Sequence, residues 1–324
     1  MNQSPLVSIC IPTYNSEKHI EFMLSSILLQ TYKNIEVIIC DNFSSDSTFE
    51  ILQSYKHYNN WKISQNEQNI GAINNMAKLT KMASGKYVAI YHADDLYDRD
   101  IVKKSVKALE EMSNISLIST MGTSIDENNM ELSVFNLPKA FEDKKSVSFE
   151  LFFLEILSQR PFFLITPSIM TRAYYYEDKC VFNKRYKSSA DYGMWFEILQ
   201  HGDLHIINES LICYRTHDQQ GTFLEIKKNC KIPDCIPLYE DYANKNKPLF
   251  WSSFTYTYYK LMLIQSIKLN NAGNFKKSQI FLRMILKRTK KYIFPWIILY
   301  SFINFLNIKF SLNNLLIIKN KVKK

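Results

Sequence analysis

Two adjacent carboxylates, Asp94 and Asp95, stand at the end of the run Lys86-Tyr87-Val88-Ala89-Ile90-Tyr91-His92-Ala93. Acids side by side repel, so the pair invites a cation. A hard divalent ion such as Mn2+ or Mg2+ takes carboxylate oxygens and commonly shares them with phosphates. The run before the pair is apolar and opened by Gly85, so it reads as a buried strand. Acids at the carboxyl end of a strand in an open α/β sheet lie at the crevice where such sheets bind ligands. Helix capping is the ordinary alternative, with Asp94 or Asp95 starting the helical run Asp98–Met112. Residue types alone leave both readings open.

The elements that would position the pair alternate in type. Leu6–Ile11 is a short apolar strand that Pro12 stops, and Thr13-Tyr14-Asn15 is the loop after it. Asn15 or Ser16 can cap a helix through Ile20, Leu24, Ile27 and Leu28. Ile35–Cys40 is a second strand, ended by Asp41-Asn42, and Ser44–Ser47 starts a helix to about Tyr58. Trp61–Gln65 is a weaker strand, and Asn69-Ile70-Gly71 leads into a helix ending near Gly85. This order predicts an α/β fold with a mostly parallel central sheet flanked by helices. Tyr14, Asp41, Asn69 and the Asp94/Asp95 pair then converge on one cleft. No GxGxxG follows the first strand and no GxxxxGK[ST] occurs, which argues against a nicotinamide enzyme and a P-loop ATPase.

Further on, Leu117–Met121, Glu131–Phe135 and Leu211–Arg215 read as strands. Phe149–Leu157 and Ala190–Leu199 read as helices, the second with Asp191 at its N-terminal end. The 324 residues, 46% apolar and 22% charged, suffice for one large core or two domains. The six cysteines show no CxxC pair, which suits a reducing cytosol; Cys10 and Cys40 lie in apolar strands. Residues 1–5 lack a basic n-region and an apolar h-region, so no signal peptide is expected.

The net charge of +9 is unevenly spread. From residue 221 onward there are 19 Lys and Arg against 4 acids, leaving 21 bases and 27 acids before it. A division into 1–220 and a basic, apolar helical region 221–324 follows. Within the latter, Ala272-Gly273-Asn274 is a turn between two helices. Residues 292–308 carry no charge but are short and polar-flecked for a spanning helix. With Lys287, Arg288, Lys290 and Lys291 before them, they suit an interfacial helix on an anionic membrane, or packing against a partner. No nucleic-acid-reading module appears.

Five stretches, in order over residues 5–220, together resemble the family 2 glycosyltransferases of GT-A fold. They are Val7–Asn15, Asp41–Thr48, Ala83–Tyr87 with Ala93-Asp94-Asp95, Ala190-Asp191-Tyr192 with Trp195, and Tyr214-Arg215-Thr216-His217. The chain departs from the pattern at Cys40, Asn42, Phe43, Ala190 and at His92, where an Asp is frequent. The resemblance implies a nucleotide-sugar donor held by Pro12, Tyr14, Asp41, Asn69, Gly71 and Asp94. In that reading Asp41 accepts the N3–H of uracil, Tyr14 stacks on the base or meets a phosphate, and Asp94 meets the ribose or the metal's waters. Asp95 binds the metal, with His217 as a further contact to metal or diphosphate. Asp191 is the implied general base, unless it only caps its helix, and the helix dipole would lower its pKa.

The implied enzyme inverts configuration and transfers a hexosyl or N-acetylhexosaminyl group, from a UDP-sugar by preference, to a surface-polysaccharide or lipid-linked glycan. It would work in the cytoplasm, peripherally on the inner face of the membrane; an oligomer is compatible with this. A non-catalytic nucleotide-sugar-binding scaffold is the second reading, and loss of any of Asp41, Asp95, Asp191 or His217 would favour it. A sugar nucleotidyltransferase would want a Gly-rich basic loop where Pro12-Thr13-Tyr14-Asn15 stands.

Overall fold

The computed structural model describes residues 4–158, 163–177, 182–217 and 232–288. The chain forms two compact units, Met1–Gln220 and Gly221–Lys324.

The first unit is built on a 9-stranded sheet. Strand β1 (Val7–Thr13) is followed by helix α1 (Ile20–Leu28), β2 (Ile35–Asp41), α2 (Thr48–Gln53), β3 (Trp61–Gln65), α3 (Ala72–Met82) and β4 (Tyr87–Ile90). These four strands lie parallel in the order β3-β2-β1-β4. Val7, Ile9 and Ile11 point to the face covered by α1, whose Ile20, Met23, Leu24 and Ile27 recur at helical spacing and are buried with them. Cys10 points to the other face, where its thiol meets Leu79 O of α3 at 3.6 Å.

Beyond β4 the sheet becomes mixed. It continues through β5 (Leu96–Tyr97), α4 (Ile101–Glu111), β6 (Ile115–Ile125), β7 (Glu131–Val134), α5 (Phe149–Ser158), β8 (Met170–Arg172), α6 (Ala190–Ile198) and β9 (Asp203–Arg215). Strand β8 runs antiparallel between β4 and β6, while β9 lies parallel to β6 and antiparallel to β5. The parallel arrangement expected from the sequence is therefore the property of the first half. Strand β9 begins eight residues before the apolar run that marks it in the sequence, because its first half is only partly buried.

Pro12 does not stop β1; the strand runs through it to Thr13. Pairing with β4 ends at Cys10↔Ile90, so the missing N–H of Pro12 interrupts no ladder on that side. Gly85 opens β4 for a steric reason: a Cβ there would lie 2.7 Å from Ser8 N and 2.8 Å from Leu6 O.

A buried acid ties these strands together. Glu36 Oε1 accepts from Ser8 Oγ at 2.6 Å, Ser84 N at 2.7 Å and Ser84 Oγ at 2.7 Å, and Oε2 accepts from Lys62 Nζ at 2.8 Å. Burial pushes its pKa up, but these donors outweigh that and hold it down at about 2.

In the second unit, α7 (Cys235–Lys245), α8 (Lys247–Asn271) and α9 (Phe275–Arg288) form a helical array. Gly273 adopts φ +77° at the end of α8. Its N–H donates to Asn270 O at 3.0 Å and that of Asn274 to Leu269 O at 2.8 Å, a Schellman closure that makes the expected turn. Ser266 and Ser278, both buried, clasp the hairpin, with hydroxyls 2.8 Å apart and each reaching the other's carbonyl. No helix among the described residues is long and apolar enough to cross a membrane. The uncharged run 292–308 lies outside the described residues.

Glu36 titrates lower in the folded chain than unfolded, so its stabilisation is full above pH 4.5 and fades as pH falls toward about 2. Glu36→Gln should therefore cost roughly 2–3 kcal/mol at pH 7. In urea melts at stepped pH, the gap to wild type should narrow below pH 4.5; a gap independent of pH would contradict this role.

Candidate active site

The carboxyl ends of β1, β2 and β4 supply three loops, and the first two are laced together. Asn15, at φ +48°, donates its N–H to Ser44 Oγ at 2.9 Å, and its side chain accepts from Ser45 N at 2.9 Å. Tyr14 projects from this junction with half its surface exposed.

Asp94 and Asp95 cap nothing. Strand β5 separates them from α4, whose N-cap position is Asp100. Their turn is pinned from below instead. The His92 N–H donates to the buried Tyr97 hydroxyl at 2.7 Å, and the Tyr97 ring stacks on Tyr91 at 3.9 Å. From β9, the backbone N–H of Arg215 donates to Asp95 Oδ1 at 2.8 Å. The Arg215 guanidinium, wholly buried, reaches Asp94 O, Asp126 O and Asn129 Oδ1, each at 2.7 Å. His217 Nε2 lies 3.0 Å from Asp94 Oδ2, and its ring packs on His19 at 5.7 Å.

Asp95 Oδ2 is the telling atom. It is buried and has no hydrogen-bond partner among the described residues, a costly condition for a carboxylate oxygen. Burial, then the charge of Asp94, push the Asp95 pKa well up. Burial also raises Asp94, but His217 and the charge of His92 bring it down overall. His92, Asp94 and Asp95 offer ligand atoms within 4.8 Å of one another. An open oxygen in a His-Asp-Asp cluster fits a divalent cation.

Asp191 stands in the first turn of α6. That helix is fixed by an aromatic cluster in which Phe196 meets Phe149, Phe152 and Phe153 edge-on at 5.4–5.6 Å. Asp191 Oδ1 accepts from Tyr192 N at 2.7 Å and Oδ2 from Thr166 Oγ1 at 3.1 Å. Its pKa is raised, chiefly by burial and against those bonds, and the charge of His92 acts on it in the opposite sense. The Asp191 carboxylate thus lies within electrostatic reach of the cluster at the end of β4.

Comparison with known proteins agrees with this geometry. The model of the family described as Glycosyl transferase family 2 matches residues 8–176, about half of the chain. An uncharacterized glycosyltransferase of Haemophilus influenzae is 31% identical over 221 residues, 68% of each chain. The chain belongs to glycosyl transferase family 2. This glycosyltransferase is also 29% identical over 219 residues to Escherichia coli chondroitin synthase, covering 66% of the chain and 29% of the synthase. Its fold matches that of S. aureus TarS 1–349 in complex with UDP-GlcNAc. The TM-score is 0.55 at 19% identity, over 87% of this chain and 72% of that one.

The structure revises several expectations for the glycosyltransferase. Asp41 is wholly buried and turned inward. Oδ1 accepts from Thr13 Oγ1 at 3.1 Å and Ser44 Oγ at 2.5 Å, and Oδ2 from Ser44 N and Gln65 Nε2, each at 2.9 Å. A carboxylate has about four acceptor positions, and these four donors meet them, so Asp41 also closes the turn after β2. His217 meets Asp94 Oδ2, while the grouped ligand atoms are those of His92, Asp94 and Asp95. The Asp191 pKa moves up rather than down, because burial outweighs the helix terminus; the N-cap is Ser189. Pro12 is inside β1, short of the cleft-lining loop.

Asn69 and Gly71 lie on the neighbouring loop. Asn69 Oδ1 accepts from Asn42 Nδ2 and Gly71 N, each at 2.9 Å, and Gly71 takes φ +83° at the start of α3. Asn42, Asn66 and Asn75 form a buried amide network beneath, with Asn66 Nδ2 donating to both other side chains. Trp195 is core, 1% exposed. Sequence reasoning passed over His19, the place of His92 beside the acid pair, Tyr97, Thr166 and the bracket of Arg215. Arg215 and His92 did carry a signal, since Arg215 falls inside a quoted stretch and His92 is a departure from the pattern beside the acid pair.

Arg215→Lys would leave one compact ammonium where three diverging acceptors are now met. The loss should be about 2 kcal/mol, a fall of roughly 4–8 °C in the melting midpoint of a domain this size. An unchanged midpoint would show that the bracket carries no load.

Proposed function

We propose that this family 2 glycosyltransferase is an inverting, divalent-metal-dependent enzyme moving a sugar from a UDP-sugar to a hydroxyl of a surface-polysaccharide or lipid-linked glycan. The unpartnered, buried Oδ2 of Asp95 beside His92, with Asp191 in electrostatic reach of that same histidine, carries the reading. A UDP donor is supported by the complex of the structural neighbour TarS with UDP-GlcNAc. A polymeric glycan acceptor is supported by the likeness to chondroitin synthase.

Asp95, Asp94 and His92 would hold the ion. Bound there, Mn2+ or Mg2+ would neutralise the diphosphate as it departs. Tyr14 offers a half-exposed ring to the base. Asn69 keeps its Nδ2 without a hydrogen bond among the described residues, a donor for the nucleotide. Asp191 takes the proton of the acceptor hydroxyl as that oxygen bonds to the anomeric carbon. The bond from that carbon to the diphosphate breaks on the opposite face, the diphosphate keeps the electron pair, and configuration inverts. A carboxylate with a raised pKa is a better base for this step than an ordinary aspartate. The basic composition after residue 221 supports a peripheral place on the inner membrane face.

With the full chain, UDP-sugars and Mn2+, Asp191→Asn should lower kcat about 10²–10⁴-fold while leaving donor affinity unchanged. Wild-type kcat/KM should rise with pH through an acid limb lying above the ordinary 3.8 of an aspartic acid. Full transfer by Asp191→Asn would remove the base assignment. Activity that survives EDTA and Asp95→Asn would remove the metal.

A further inference from the structure

We infer that His92 Nδ1 binds the metal ion directly, making a mixed nitrogen–oxygen site that favours Mn2+ and Co2+ over Mg2+. This rests on the metal-dependent reading above. His92 Nδ1 lies 3.9 Å from Asp95 Oδ2, too far for a hydrogen bond. Two atoms each about 2.1 Å from one ion stand roughly 3.0–4.2 Å apart, according to whether they are adjacent or opposite. The observed separation falls in that window.

The competing histidine is otherwise engaged. His217 already meets Asp94 Oδ2 at 3.0 Å and packs on His19. The His92 ring makes no hydrogen bond among the described residues, and its side chain is 34% exposed, open to a ligand. Its backbone is fixed by the Tyr97 hydroxyl, so the imidazole starts from an anchored Cα. Asp95 Oδ2, buried and without a partner, faces the same point.

An imidazole changes which ion the site prefers. Mg2+ seeks oxygen ligands in near-ideal octahedral array, whereas imidazole nitrogen suits the transition metals and rewards them in the order Mn2+, Fe2+, Co2+, Ni2+. A carboxylate at this position would bring a third negative charge and hard oxygen alone. His92 brings neither, so the cluster loses Coulomb attraction for Mg2+ and gains covalency for Co2+.

The test uses the full chain with MnCl2, alone and with UDP. Pulsed electron paramagnetic resonance reads directly coordinated 14N. The histidine signal should be present in wild type, lost in His92→Asp and kept in His217→Gln. Calorimetric titration with CoCl2 and MgCl2 should show the Co2+/Mg2+ affinity ratio falling about tenfold or more in His92→Asp, with Mg2+ binding retained. A 14N signal that survives His92→Asp, or an unchanged ratio, would overturn the inference. Mn2+ bound without any histidine nitrogen would overturn this inference alone; no metal binding by wild type would remove the metal reading with it.

Discussion

The first unit is arranged around a carboxylate held inside the protein with only one oxygen satisfied. A buried charge is tolerable only when paired or ligated, and Asp95 has a single backbone N–H on Oδ1. Its neighbour Asp94 makes the burial worse, and positive charge set against Oδ2 relieves both acids. Arg215 serves this arrangement twice: its backbone gives the one hydrogen bond, and its guanidinium locks the turn that presents the pair. Tyr97 does the same from the other side.

The charge of the cleft is also segregated. On the β4 side stand Asp94, Asp95, His92 and His217, with Asp191 in electrostatic reach. On the β2–β3 side Asn42, Asn66, Asn69 and Asn75 are linked amides, Lys78 Nζ donates to Asn66 Oδ1 at 2.8 Å, and Asp41 has its charge spread over four donors. A connected network of this kind is rigid, and its one charged member, the Lys78 ammonium, is a cation rather than a ligand for one.

How much of this could be read beforehand depends on length and occupancy. Strands β1 to β4 and their helices were legible because each carries several apolar residues at a clear period, and the α8–α9 turn because Gly and Asn can close a helix. Strands β5 and β8, of two and three residues, are too short to show any period. The front of β9 is hidden by its polar, half-exposed residues. Asp94, Asp95 and Asp191 were readable from type and order. The saturation of Asp41 was not, since a sequence gives an acid's position but not how many donors surround it. The grouping of His92 with Asp94 and Asp95 depends on the folded turn between β4 and β5, which a sequence does not define.

Strand β9 has one more consequence. Asp95 and Arg215 are 120 positions apart, Asp94 and His217 are 123 apart, and the strand lies parallel to β6 along most of its length. Parallel pairing across such a span is slow to form and pays its loop-closure entropy before it gains contacts. During synthesis, the parallel front of β1 to β4 can consolidate while the turn bearing the acid pair waits for its bracket. Competence would thus arrive late in translation, and a ribosome stalled short of residue 215 would display a docking platform with no working centre.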